Sequence, residues 1–125
     1  MATRSLVSVV DDDESVRESL PDMLRQIGFA AAAFASAEAF LASDVVGRTS
    51  CLILDVAMPG MTGPELQREL AHRRSNIPIV FITASGDNAI RTRVLVDGAV
   101  ECLFKPFSEA ALVDALNAAL RIREA

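Results

Sequence analysis

Short apolar runs alternate with stretches whose apolar residues recur every three or four positions, and the alternation repeats five times along the chain. The runs Leu6 to Val10, Ala30 to Phe34, Cys51-Leu52-Ile53-Leu54, Ile79-Val80-Phe81-Ile82 and about Glu101 to Phe104 have the length and side chains of strands. The stretches between them have helical spacing, as in Val16, Leu20, Met23, Leu24 and Ile27 after the first strand, or Leu112, Leu116 and Leu120 after the last. Strand-then-helix units in series predict an α/β domain with a parallel sheet flanked by five helices. The continuous apolarity of Cys51 to Leu54 suits a central strand covered on both faces.

Capping chemistry fixes most of the boundaries. Gly28 and Gly98 stand where the first and fourth helices should end. Thr62 and Glu65 have capping-box spacing, with Pro64 harmless in the first turn, and Ser85-Gly86-Asp87 and Ser108 lead into the fourth and fifth helices. Two places conflict with local rules. Pro21 removes a helical hydrogen bond and predicts a kink in the first helix. The run Phe29-Ala30-Ala31-Ala32-Ala33-Phe34 would pass for helix on propensity, yet the repeating pattern requires Ala30 to Phe34 as an edge strand, with Ser36 capping a short helix over 37–42.

Composition narrows the function classes. A chain of 125 residues, 51% hydrophobic, is the size of one domain and can bury a self-sufficient core, so residues 1–125 are expected to form a single unit. Its formal charge of -5 argues against direct binding to nucleic acid. Cys51 and Cys102 lie in apolar runs without metal-ligand spacing, as buried thiols of a reduced, cytoplasmic protein would. No apolar run is long enough to span a membrane.

The polar chemistry collects at the carboxyl ends of the strands: Asp11 and Asp12 after the first, Asp55 after the third, Thr83 after the fourth, and Lys105-Pro106 after the fifth. Open parallel sheets bind ligands at those ends, where the strand order reverses. In the doubly wound order 2-1-3-4-5 the first and third strands are neighbours, so three carboxylates converge there. Their mutual repulsion calls for a cation, and a few hard oxygen ligands with room for water and phosphate suit Mg²⁺. Asp13 and Glu14 read instead as the acidic start of a helix.

Taken together, Val9-Val10-Asp11-Asp12, Leu54-Asp55-Val56-Ala57-Met58-Pro59-Gly60-Met61-Thr62-Gly63, Thr83-Ala84 and Lys105-Pro106-Phe107 resemble the receiver domains of two-component response regulators, which have the CheY-like fold, and most of all the FixJ-like group. The resemblance covers essentially the whole chain. It implies that Asp55 accepts a phosphoryl group from a phosphohistidine on a sensor histidine kinase. It also implies Mg²⁺ held by Asp12, Asp55, the main-chain carbonyl of Ala57 and, through water, Asp11. Lys105 would supply a second positive charge and the Thr83 hydroxyl would bond the new phosphoryl group, switching the surface formed by the fourth helix, fifth strand and fifth helix. An output domain or downstream protein would read that surface, and a phosphorylation-dependent homodimer is a further implication.

One position departs from the pattern: Cys102 stands three residues before the lysine, where the family has an aromatic switch residue. Alternation along the strand sends Cys102 and Phe104 to one face and Leu103 to the other, so Phe104 can stand in for part of the lost bulk. Cys102 also keeps open a receiver-like interaction module that does not depend on phosphorylation. A phosphohydrolase of the haloacid-dehalogenase type would want an acid two residues after Asp55, where Ala57 stands, and a flavin phosphate would be repelled by Asp11 to Glu14. His72, Arg73 and Arg74 read as a solvated helix end, Arg91 and Arg93 as scattered basic positions, and Met58 and Met61 as loop packing.

Overall fold

The strands β1 (Leu6–Val10), β2 (Ala30–Phe34), β3 (Thr49–Asp55), β4 (Ile79–Thr83) and β5 (Glu101–Phe104) lie parallel in the order β2-β1-β3-β4-β5 in the computed structural model, which describes residues 4–124. Five helices connect them: α1 (Glu14–Gln26), α2 (Ala37–Leu41), α3 (Gly63–His72), α4 (Asn88–Val96) and α5 (Glu109–Glu124). Alternation along the central strands divides the core in two. Val7, Val9, Cys51, Ile53, Val80 and Ile82 meet Leu20 and Leu24 of α1 and Leu112 and Leu116 of α5. Val10, Leu52, Leu54, Phe81 and Cys102 meet Phe40 of α2, Leu66 and Leu70 of α3, and Val94 of α4.

The edge strand β2 forms despite its four alanines, because pairing with β1 in register Leu6↔Ala30 to Val10↔Phe34 satisfies its backbone. Helix α1 continues through the buried Pro21 to Gln26, and Gly28 follows with φ of 107°. Thr62 and Glu65 form the expected capping box at the start of α3, and the Ser108 hydroxyl accepts the Ala111 N–H at 3.0 Å. Strand β3 starts two residues earlier than its apolar run, at Thr49. The cause is a buried polar contact: Thr49 Oγ1 lies 2.8 Å from Ser8 Oγ in β1 and donates to the Val45 carbonyl at 2.8 Å, at the end of a short 3-10 turn over Val46–Arg48 that the apolar pattern does not signal.

Gly63 sets how closely α3 approaches the end of β3. Its N–H donates to the Val56 carbonyl at 3.0 Å. A β-carbon there would collide with the backbone carbonyl of Asp55 and come within 2.9 Å of Phe81. Neither neighbour is a flexible side-chain tip, so the substitution would displace main chain. Gly63→Ala is therefore expected to lower unfolding free energy by about 1–3 kcal/mol in urea titrations, and an unchanged midpoint would show that the approach is not tight.

Candidate functional site

Asp11 follows β1 directly, and its N–H donates to the Phe34 carbonyl at 3.1 Å, so the strand pairing that makes β2 also fixes the acid. The side chain is completely buried. Its Oδ1 accepts the Asp13 N–H at 2.9 Å and its Oδ2 accepts from Lys105 Nζ at 2.8 Å, while Arg17 Nη1 donates to its carbonyl at 3.1 Å. Asp55, the last residue of β3, is only 6% exposed, and its Oδ1 lies 3.7 Å from the same ammonium. Asp12 is exposed at the mouth. One carboxylate oxygen from each of Asp11, Asp12 and Asp55 falls within 4.8 Å of the others. Asp13 is not part of this group: it caps α1, accepting from Ser15 N–H at 2.9 Å and Ser15 Oγ at 2.8 Å, and those bonds lower its pKa.

Electrostatics sets the character of the cluster. Burial first, and the Asp11 charge second, push Asp55 up to about 7, with Lys105 offsetting only part of the rise. Burial works against the Lys105 ammonium, but the hydrogen bond to Asp11 and the charges of Asp55, Asp11 and Asp13 outweigh it and raise its pKa. One lysine thus serves two buried carboxylates, and the site remains short of positive charge. Three hard oxygen donors in one pocket with that shortage fit a small divalent cation such as Mg²⁺.

Thr83 ends β4, one residue beyond the register partner of Asp55, and is buried. Its Oγ1 accepts the Ser85 N–H at 3.1 Å, which shapes the loop before α4 and leaves the hydroxyl proton available to an acceptor. The Lys105 N–H donates to the Thr83 carbonyl at 2.8 Å, holding the end of β5 beside β4, and the Lys105–Pro106 peptide is cis. Cys102 pairs in register with Phe81, and Phe104 pairs with Thr83. Both pack on the face that carries α4, while Leu103 packs on the other, as strand alternation predicts. Ala57 is exposed in the loop after β3. His72 is exposed at the end of α3, Met58 is buried and Met61 is packed beside it.

Three contacts around the site carried no signal in the sequence. Glu38 of α2 reaches across to accept the Met61 N–H at 3.2 Å, bracing the loop after Asp55 where Gly60 takes φ of 74°. Gln67 of α3, buried, donates to the Val94 carbonyl of α4 at 3.1 Å. Arg91, one of the basic positions read as scattered, pairs with Glu101 at 2.8 Å. All three join residues at least ten positions apart, so no local pattern announces them.

A doubly wound sheet with an acidic pocket and a lysine at its switch point defines a CheY-like α/β domain. The chain belongs to the response regulator receiver domain family, which matches residues 7–117. It is 45% identical over 118 residues to Nodulation protein W of Bradyrhizobium diazoefficiens, an alignment covering 94% of this chain and 52% of that one. Among solved structures it is similar to the response regulator StyR, with TM-score 0.89 and 46% identity over 98% of this chain and 62% of that one. It is also similar to FixJ-N, with TM-score 0.86 and 38% identity over 96% of each chain. The FixJ-like resemblance is borne out, and the chain is a receiver domain of the two-component response regulator kind. It spans about half the length of the curated relatives it matches.

The raised pKa of Asp55 has a sign that can be measured. Because the fold holds its pKa near 7 against 3.8 in the free side chain, the folded state favours the protonated acid. Its stabilising effect is complete below about pH 4 and is lost as pH rises through about 7. Metal-free protein should lose urea resistance between pH 5 and pH 8, and Asp55→Asn should flatten that slope and stabilise the chain at pH 8 by about 2 kcal/mol. A variant with the wild-type slope would place the titrating group elsewhere.

Proposed function

We propose that Asp55 is the phosphoacceptor and that this domain switches by Mg²⁺-dependent phosphoryl transfer from a phosphohistidine on a sensor histidine kinase. The observation that carries the reading is the Lys105 ammonium shared between Asp11 and Asp55, 2.8 Å from one and 3.7 Å from the other, beside a third carboxylate. Asp55 supplies a carboxylate oxygen as nucleophile: its O–P bond forms as the donor's P–N bond breaks, and the imidazole nitrogen leaves with the bonding pair. Asp11, Asp12, Asp55 and the main-chain carbonyl of Ala57 would hold the Mg²⁺, Asp11 through water. When bound, the ion supplies charge neutralisation for the carboxylates and the phosphoryl oxygens.

Lys105 already stands within reach of Asp55 and provides positive charge for the phosphoryl group that arrives there. The Thr83 hydroxyl, with its proton free, donates to a phosphoryl oxygen and releases the Ser85 N–H, so the loop before α4 moves when Asp55 is modified. The domain is then a switch that promotes its own phosphorylation rather than a turnover enzyme. Residues 1–125 act as one receiver unit in the cytoplasm. Its output passes to a linked domain, a downstream protein or a second copy, with no direct contact to nucleic acid. Among the described residues no helix is long and apolar enough to cross a membrane.

The test is intact mass after incubation with Mg²⁺ and a small acyl-phosphate donor. One phosphoryl adduct should form on the wild type, and chelator or Asp55→Asn should each reduce it at least tenfold. An adduct of equal yield on Asp55→Asn would overturn the assignment.

A further inference from the structure

The helix that must answer to Thr83 is weakly anchored by apolar contacts. Of its nine residues, Asn88 to Val96, only Val94 is buried, and Val96 is 79% exposed. Ile90 and Leu95 pack half-buried beside Val94, and polar contacts add to them. At its start, Asp87 accepts the Ala89 N–H at 2.8 Å, two residues beyond the Ser85 N–H that Thr83 accepts. Toward its end, Gln67 donates to the Val94 carbonyl. Between them, Arg91 reaches β5.

The Arg91 contact has a particular shape. Strand β5 is the edge of the sheet among the described residues, paired with β4. The N–H of Cys102 donates to Glu101 Oε1 at 2.9 Å and its carbonyl accepts from Arg91 Nε at 3.4 Å, while Arg91 Nη2 closes the ring on the same Glu101 oxygen at 2.8 Å. One guanidinium and one carboxylate thus cap both backbone groups of an edge residue that would otherwise be left open. The capped residue is Cys102, whose side chain is too small to transmit a shift of Thr83 by changing its own rotamer. The ring joins α4 to the strand in its place, on half-exposed side chains that can part without opening the core.

We infer that Arg91, with Glu101, couples phosphorylation at Asp55 to the α4–β5 surface. The inference rests on the phosphoacceptor reading above. In the unphosphorylated chain the ring pins α4 to β5. When Thr83 turns to the phosphoryl group, the Ser85 N–H loses its acceptor, the start of α4 shifts, and Arg91, one turn further on, is drawn off Glu101 and the Cys102 carbonyl. The edge of β5 is uncapped as a result. Arg91 is a positioning residue: it touches none of the reacting atoms.

A pin that holds the unphosphorylated state must oppose phosphoryl-mimic binding by the same factor with which the mimic opposes the pin. The experiment measures beryllofluoride binding in the presence of Mg²⁺, together with amide exchange of residues 91–97, in the wild type, Arg91→Ala, Arg91→Lys, Glu101→Gln, the double variant Arg91→Ala with Glu101→Gln, and the surface control Arg25→Ala. Arg91→Ala and Glu101→Gln should each bind the mimic about fivefold tighter, and the double variant no tighter than either alone. Arg91→Lys should fall between them and the wild type, and Arg25→Ala should match the wild type. Exchange across α4 in the mimic-free protein should rise about tenfold in Arg91→Ala and in Glu101→Gln while β1 and β3 stay protected. If wild type and variants bind the mimic equally, with unchanged exchange in α4, the coupling is overturned and the phosphoacceptor reading stands. If the mimic does not bind the wild type, both fall together.

Discussion

The ion pair between the half-buried Lys105 and the fully buried Asp11 is the contact on which the rest of this site depends. It joins the ends of two strands separated by 94 residues and by the two central strands β3 and β4 of the sheet, and it brings a cation to a carboxylate with no solvent exposure. A buried charge without a partner costs several kcal/mol, so the pair is held in place by the penalty for breaking it more than by its net attraction. Asp55 is the residue left short. It shares the same ammonium at longer range, lies beside two other acids, and keeps its proton more readily than a free carboxyl. A fold optimised for stability alone would not put three carboxylates there, and the tension is of the kind that a divalent cation relieves.

The rest of the architecture serves that arrangement from two sides. On the face of α1 and α5 the packing is apolar and continuous, which gives the central strands a rigid base. On the other face the apolar core is supplemented near the site by single polar contacts: Glu38 on the loop after Asp55, Thr83 on the loop before α4, Gln67 and Arg91 on α4 itself. Such contacts have discrete alternatives, whereas a close-packed core does not yield gradually. Rigid placement of the acids and loose attachment of α4 are therefore complementary properties of one sheet.

The strand ends were legible because chemistry and periodicity coincide there. Asp11, Asp12, Asp55, Thr83 and Lys105 each interrupt or follow an apolar run, and the parallel order brings those interruptions together. Ala30 to Phe34 was legible only through the repeat, since its own composition favours helix and pairing with β1 overrides it. The start of β3 is hidden because Thr49 and Ser50 look like loop residues until Ser8, across the sheet, supplies a buried partner for the Thr49 hydroxyl. Arg91 was out of reach for a related reason. Its meaning lies in the edge position of β5 and the open groups of Cys102, and neither is a property of the residues around Arg91 in the chain.

The most direct test of the central claim, that these carboxylates are arranged to hold a divalent cation, is a Mg²⁺ titration of thermal or urea unfolding at pH 8. Millimolar Mg²⁺ is expected to stabilise the wild type by on the order of 1 kcal/mol, with Asp12→Asn and Asp55→Asn each losing most of the effect. Equal stabilisation of wild type and both variants, or none in the wild type, would contradict the account.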